Sequence, residues 1–413
     1  MSARTSTGVP DLTDPETFQR EDMPDVWRRL RADAPVWRHP ARGDAPAFWV
    51  VTRHEDVVAA LRAGDVLASG HGNVLTSLLS GHEDGSGRML PVTDGTRHRD
   101  LRRVLQPAFT PRALRDVERR VREHARELVR AAALAGECDF ARDVAEHVPM
   151  RAICDLLGVP EVDRPALLDL TKSALGSTSP DWSDDDARLA RNELLLYFTD
   201  LLADRRAGGR RGDDVIGLLA AAEAGGDPLD DADVVLNCYS LILGGDETSR
   251  LSITAAVAAF CRFPRQWDTV RAGAGLPGVV EEVLRWACPA MHVGRRATVD
   301  TTIGGTRIAA GDLVTLWITS ANRDEEVFAE PDAFDATRTP NRHLALGHGA
   351  HFCLGAQLAR IELGAVLEAL RDVAASFTAT GPATRVRSTF LDGYAALPVR
   401  ITSARRSGEW GTG

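Results

Sequence analysis

The segment from Asp230 to Phe263 contains no proline, and its only glycines are Gly244 and Gly245. Read as one helix at 1.5 Å per residue, it is about 50 Å long, enough to cross a whole domain. Its apolar residues surround most of the circumference, so the helix has no solvent face and must be wrapped by others. That requirement predicts a large helical body around one central rod. The 413 residues are ample for such a core, and 44% hydrophobic with 26% charged residues is a globular balance.

The rest of the chain is consistent with one domain. Residues 48–52 read as a strand and residues 54–62 as a helix after it. Residues 66–90 are rich in glycine and serine without a sustained period, which marks a long loop of the kind used as a lid or binding segment. From Pro111 to about Cys288 helical patterns dominate, with Thr110 as candidate N-cap and Pro111 in the first turn. They are interrupted at Gly136 and at residues 158–160, 177–180 and 208–209. After Pro289 short strands follow at 301–305, 306–308 and 313–317, then a last helix from about 355 to 377. No repeat or second-domain boundary is visible. The expectation is a single mainly α domain over 1–413 with a small β-rich part, and flexible tails at 1–15 and 405–413.

A formal net charge of -10 argues against a nucleic-acid binder. Lys172 is the only lysine, a skew from which no function follows. The cysteines, at 138, 154, 238, 261, 288 and 353, form no CxxC pair. Five sit in apolar, helix-like contexts and read as buried free thiols, as in a reducing cytoplasm. The N-terminus lacks the apolar core of a signal peptide, and no stretch approaches about 18 continuous apolar residues. A cytoplasmic protein without a membrane span is expected.

The sixth cysteine differs. In residues 343–355 (HLALGHGAHFCLG) a glycine-rich turn delivers Cys353 just before a helix start. The positive end of that helix favours thiolate, and Gly347, Gly349 and Gly355 let the backbone pass close to a large flat ligand. Three readings compete: a buried structural thiol, a zinc site with His348 and His351, and a thiolate ligand to haem iron. The zinc reading lacks a fourth ligand or a catalytic glutamate nearby.

The run resembles the haem-binding signature of the cytochrome P450 superfamily, Phe-Gly-x-Gly-x-His-x-Cys-x-Gly, at every fixed position but one. Leu346 stands where the family has phenylalanine, which puts the tuning of the thiolate in question but not the ligand. Independent motifs follow the family's order. Glu282 and Arg285 resemble its Glu-x-x-Arg, and residues 331–338 its Pro-x-x-Phe-x-x-x-Arg, where Arg338 completes a structural network. His98 and Arg102, spaced i, i+4 to face two carboxylates, resemble the helix that contacts haem propionates. Arg295 and His351 match further propionate partners. The resemblance implies haem b, with Cys353 as axial ligand of the iron and Gly355, Gly244 and Leu346 beside it. It also implies a triangular fold whose long central helix crosses over the haem.

Residues 243–249 (LGGDETS) lie mid-way along that helix. Two glycines, an acid pair and a hydroxyl make a poor core stretch and predict a local distortion. The run resembles the family's oxygen-activation motif, which implies Thr248 as the hydroxyl that manages protons. Glu247 is then the relay, with Asp246 as the alternative relay. The same resemblance places substrate contacts near Tyr239 to Leu243, at Ala290, His292 and Val293, and near Phe390. It implies a monooxygenase that hydroxylates or epoxidises a natural-product intermediate of bacterial secondary metabolism, such as antibiotic biosynthesis. An amino-acid or acyl substrate on a carrier protein, and phenol coupling, are the alternatives. A catalytically silent haem-thiolate platform is the reading from another class, and intact Glu247-Thr248 argues against it. The chain ends soon after the core, so a separate ferredoxin or flavodoxin is expected to supply electrons. It would dock near Arg99, Arg103, Arg342 and Arg360 on a monomeric enzyme.

Overall fold

A computed structural model describes residues 8–81, 83, 85–175, 184–207 and 214–404. A five-stranded sheet is built from β1 (Val36–His39), β2 (Phe48–Val51), β3 (Leu67–Ala68), β4 (His292–Ala297) and β5 (Leu313–Trp317), in the order β1-β2-β5-β4-β3. β5 runs parallel to β2 and antiparallel to β4, so distant parts of the chain share one sheet. The hairpin of Thr301–Ile303 and Thr306–Ile308 turns at Gly304-Gly305, both at positive φ. A separate three-stranded sheet joins Glu137–Asp139, Ala374–Ala379 and Pro398–Ser403.

The helices that position the site are α1 (His54–Arg62), α2 (Leu75–Ser80), α3 (Gly95–Leu105), α4 (Arg115–Ala135), α5 (His147–Leu157), α6 (Arg164–Ala174), α7 (Asp184–Ala207), α8 (Asp231–Arg262), α9 (Leu276–Ala287) and α10 (Ala356–Val373). α8 is the predicted rod. It runs 32 residues, with the Asp230 side chain accepting from the Asp233 N–H at its start and Phe263 closing its end. Helices α5, α6, α7, α9 and α10 all pack against it, burying it on every side. Leu194, Phe198, Ile242, Ile253, Val257 and Leu370 are fully or almost fully buried in that core.

Several expectations shift. α8 continues as one helix through Gly244-Gly245, where a distortion was expected, and the Thr248 hydroxyl donates to the Gly244 carbonyl at 3.0 Å. α4 begins at Arg115 and not at Pro111; Thr110 still accepts from the Ala113 N–H, but for a separate turn. The last helix ends at Val373, and the residues beyond form a strand whose alternation was hidden in the apolar run. Residues 66–90 are not all loop, since they hold β3 and α2. Cys138 lies in a strand, not a helix. Of the tail expected over 1–15, Leu12 is fully buried and its N–H donates to His39 at 3.1 Å, while residues 1–7 and 405–413 lie outside the described residues. The predicted interruptions at 177–180 and 208–209 lie outside them too.

Candidate functional site

A cavity with about 320 Å³ open to the centre of a water-sized sphere lies between α8 and the loop before α10. Cys353 lines it from the α10 side. Its N–H donates to the Leu346 carbonyl at 2.8 Å, closing a loop in which Gly347 and Gly349 take φ of 71° and 72°. At Gly349 a Cβ would sit 2.8 Å from the Leu61 carbonyl oxygen, so only glycine lets the loop lie this close to α1. Gly355 is different: its φ of -81° is ordinary, and it serves by turning its N–H toward the thiol. Burial pushes the Cys353 thiol up, and that N–H with Arg102 and Arg360 offsets only part of the rise. The helix start thus acts in the direction expected from the sequence, though burial acts against it more strongly. A bound metal cation deprotonates the thiol outright.

The polar wall matches the sequence-predicted set. His98 and Arg102 on α3, Arg295 on β4 and His351 all line this cavity. The rings of His98 and His351 lie 4.2 Å apart, and the buried His98 Nε2 has no hydrogen-bond partner. Burial, with His351 and Arg102 beside it, lowers the His98 pKa to about 4. Arg295 is 4% exposed, donates only to its neighbour's carbonyl at Gly294, and is pushed down to about 10 by burial. Among the described residues no carboxylate forms an ion pair with Arg102 or Arg295. Two unpaired guanidiniums, an orphaned imidazole nitrogen and a cysteine on one cavity are the complement of a flat metal ligand carrying two carboxylates, and haem b fits them. Asp94 braces this wall. Burial raises its pKa, but His351 and the N–H groups of Ser69 and Gly70 outweigh that and hold it at about 2.

The opposite wall is one face of α8. Asn237, Ser240, Leu241, Gly244, Thr248 and Ser252 line the cavity at i, i+3 and i+4 spacings. The same geometry turns Tyr239, Leu243, Asp246 and Arg250 to the far side. Tyr239 and Leu243 consequently pack into the core and are not on the cavity. Asp246 is fully buried against α6, accepting from Thr171 Oγ1 at 3.0 Å. Burial and the neighbouring Glu247 push its pKa up. Glu247 is also fully buried and takes both ends of the Arg250 guanidinium at 2.5 and 2.6 Å, so neither acid of the predicted relay touches the cavity. Only Thr248 of the predicted trio does.

Strand alternation sorts the other substrate candidates. On β4, Val293 and Arg295 face the cavity while His292 faces the other way. His292 is fully buried and its pKa is lowered to about 3 by burial. Its Nε2 accepts from the Leu75 N–H at 3.0 Å, which anchors α2 to the sheet. Phe390 packs on the His292 ring and misses the cavity, while Ala290 and Leu346 line it as predicted. Glu282, Arg285 and Arg338 form the predicted buried network: Arg285 donates to both Glu282 oxygens at 2.7 and 2.8 Å, and Arg338 Nε adds contacts at 3.1 and 3.2 Å. Of the arginines expected to meet an electron donor, Arg103 pairs with Asp100 and Arg360 with Glu281. Asn237, Asp94, Arg250 and Glu362 were missed. Asn237 was readable as one turn before Ser240 and Leu241, and Arg250 as one turn after Glu247; Asp94 and Glu362 carried no local signal.

A long helix over a thiol-floored cavity, with cations set for two carboxylates, defines a haem-thiolate protein. The chain belongs to the cytochrome P450 family. Residues 267–370 match that family directly. Cytochrome P450 NovI of Streptomyces niveus is 43% identical over 393 residues, covering 95% of this chain and 96% of that one. Linalool 8-monooxygenase of Pseudomonas putida is 33% identical over 94% of this chain and 98% of its own. Among solved structures, P450 OxyD, involved in the biosynthesis of vancomycin-type antibiotics, superposes with a TM-score of 0.86 at 36% identity, covering 95% of this chain and 99% of that one. The protein is accordingly a cytochrome P450 monooxygenase with haem b as its cofactor. Among the described residues no helix is long and apolar enough to cross a membrane.

Proposed function

We propose that this enzyme hydroxylates or epoxidises a natural-product intermediate of secondary metabolism, using electrons from a separate ferredoxin or flavodoxin-type protein. The observation that carries the reading is Thr248 facing the cavity across from Cys353. NovI and OxyD, the latter named for antibiotic biosynthesis, support the metabolic setting.

The Cys353 thiolate would hold the haem iron, and His98, Arg102, Arg295 and His351 would hold the propionates. When bound, haem supplies the activation of dioxygen, favoured by electron donation from the thiolate. The protein's own part is to seat the substrate, exclude water and deliver protons. Leu241, Leu90, Ala290 and Val293 give an apolar seat, and Asn237 is locked as part of the wall by accepting from the Leu90 N–H and donating to the Arg88 and Asp233 carbonyls. Thr248 gives its hydroxyl proton to the Gly244 carbonyl and presents its oxygen lone pairs to the cavity. Rotation of that hydroxyl places the proton toward dioxygen. Glu247 resupplies it by swinging out of its Arg250 pair. The electron donor docks on the Cys353 side, where Phe352 is 38% exposed.

A carrier-bound amino-acid or acyl substrate is the second reading, and one observation favours it over a free amino acid. Beyond the propionate partners and Glu362, the described cavity side chains carry no charge, so a free carboxylate would be left unpaired. Free and carrier-bound candidates are compared by substrate-induced spectral shift, then by turnover under labelled dioxygen with a surrogate donor. One labelled oxygen atom in the product is expected. Reduction of dioxygen without incorporation for every class of candidate would overturn the reading.

A further inference from the structure

Glu281, His343 and Arg360 form a polar cluster that does not line the cavity and takes no part in the Glu282 network. Glu281 on α9 accepts from Arg360 through both oxygens, Oε1 from Nε at 2.6 Å and Oε2 from Nη2 at 3.0 Å. Its Oε2 also lies 3.0 Å from His343 Nε2. The other ring nitrogen assigns the tautomer: His343 Nδ1 accepts from the Ala345 N–H at 3.2 Å, so Nε2 carries the proton and donates to Glu281. Burial raises the Glu281 pKa, but His343 and Arg360 outweigh that and hold it at about 2, which keeps the carboxyl an anion. Both partners of this anion lead to Cys353. His343 and Ala345 begin the cysteine loop, and the next carbonyl, that of Leu346, accepts from the Cys353 N–H at 2.8 Å. Arg360 lies near the start of α10, where its positive charge acts on the Cys353 sulfur. The run from loop through carboxylate to helix therefore closes on the cysteine from both sides.

We propose that Glu281 is a positioning residue for the Cys353 thiolate, fixing the cysteine loop through His343 and balancing the Arg360 charge beside the sulfur. The two tasks are separable. Through His343, the loop is tied to α9 at one point and to Cys353 at another, which sets where the sulfur stands. Through Arg360, the carboxylate sets how much positive charge the sulfur feels. An unbalanced guanidinium there would favour the reduced, more negative state of the loaded site, and an unbalanced carboxylate would disfavour it. Paired, the two nearly cancel. The Arg360 and Glu281 side chains are 34% and 29% exposed, so water and salt weaken this charge effect without removing it. The inference rests on Cys353 as the ligand of the iron, which its own spectrum tests separately.

Equilibrium reduction potentials of the haem-loaded enzyme, measured with small mediators and no donor protein, test the charge effect. Glu281→Gln keeps an acceptor for His343 and Arg360 but removes the anion, so the potential should rise. Arg360→Gln leaves the carboxylate unbalanced, so the potential should fall. The double variant should return close to wild type, and both single shifts should shrink in high salt. A merely loosened fold would not give opposite signs that cancel. Where Glu281→Gln does not load haem, the double variant read against Arg360→Gln gives the same sign. Single variants that move the potential the same way, or not at all, would overturn the proposal. His343→Phe tests the hold on the loop. Its carbon monoxide band should pass from the thiolate type to the thiol type roughly tenfold faster than in wild type, with the potential little changed. An unchanged rate would equally overturn it. A wild type without the thiolate band would sink the Cys353 assignment and this inference with it, whereas a normal band with unmoved potentials sinks this inference alone.

Discussion

Two buried glutamate–arginine pairs share the same i, i+3 spacing, and their surroundings give them opposite characters. Glu282 on α9 accepts from Arg285, Arg338, Asn341 and the Asp335 N–H. Arg285 in turn saturates the carbonyls of Asn322, Pro331 and Ala333. Every lone pair and every N–H has a fixed partner, so the pair is a strut that pins the segment after β5 to α9. Glu247 on α8 accepts from Arg250 alone, and Arg250 has only the Tyr394 carbonyl at 3.4 Å besides. Opening the first pair breaks a network; opening the second breaks two hydrogen bonds. The same i, i+3 pairing thus sits in a saturated network in one place and in a pair with few other partners in the other.

The comparison breaks most visibly by neutralisation. Glu282→Gln leaves two buried guanidiniums without their anion and should cost about 3–5 kcal/mol of stability. Glu247→Gln keeps an acceptor for its single arginine and should cost about 1–3 kcal/mol. Denaturant midpoints of the haem-loaded variants give the order; equal losses would erase the distinction. Next, Thr248→Ala should release peroxide at roughly ten times the wild-type share of electrons consumed, with the fold unchanged. Peroxide assay against electron consumption measures it.

A pH effect sharpens the contrast between paired and unpaired acids. Asp246 has its pKa raised in the fold, so between the ordinary carboxylate range and that raised value the folded chain binds more protons than the unfolded one. Its contribution to stability is full at acid pH and declines as pH rises. Asp246→Asn should remove that decline, so its melting temperature relative to wild type climbs between about pH 5 and pH 8. Parallel curves would show that Asp246 is ionised in the fold. The smallest effect is expected on the far side of α8: Tyr239→Phe should change substrate-shift affinity less than about twofold, whereas Leu241→Ala should weaken it by about 1–2 kcal/mol.

Much of this was legible in the sequence because it is local. The central helix was fixed by absent prolines and apolar residues all round, the cysteine loop by its glycines, and the strut by Glu282, Arg285 and Arg338. What failed was facing. Tyr239 and Leu243 belong to the right helix but to its far stripe, and His292 to the right strand but to the wrong side of its alternation. The pattern of apolar residues could not decide this, because α8 is buried all round and β4 is covered on both faces. Asp94 and Glu362 escaped because their meaning depends on elements far along the chain: His351 for the first, and for the second the packing that buries it.

The central claim is that Cys353 ligates haem iron. Reduced, carbon monoxide-bound spectra of wild type and Cys353→Ser test it directly. The wild type should show the long-wavelength band of a thiolate ligand, and the variant should bind haem without that band. A wild type lacking the band, or a serine variant retaining it, would contradict the account.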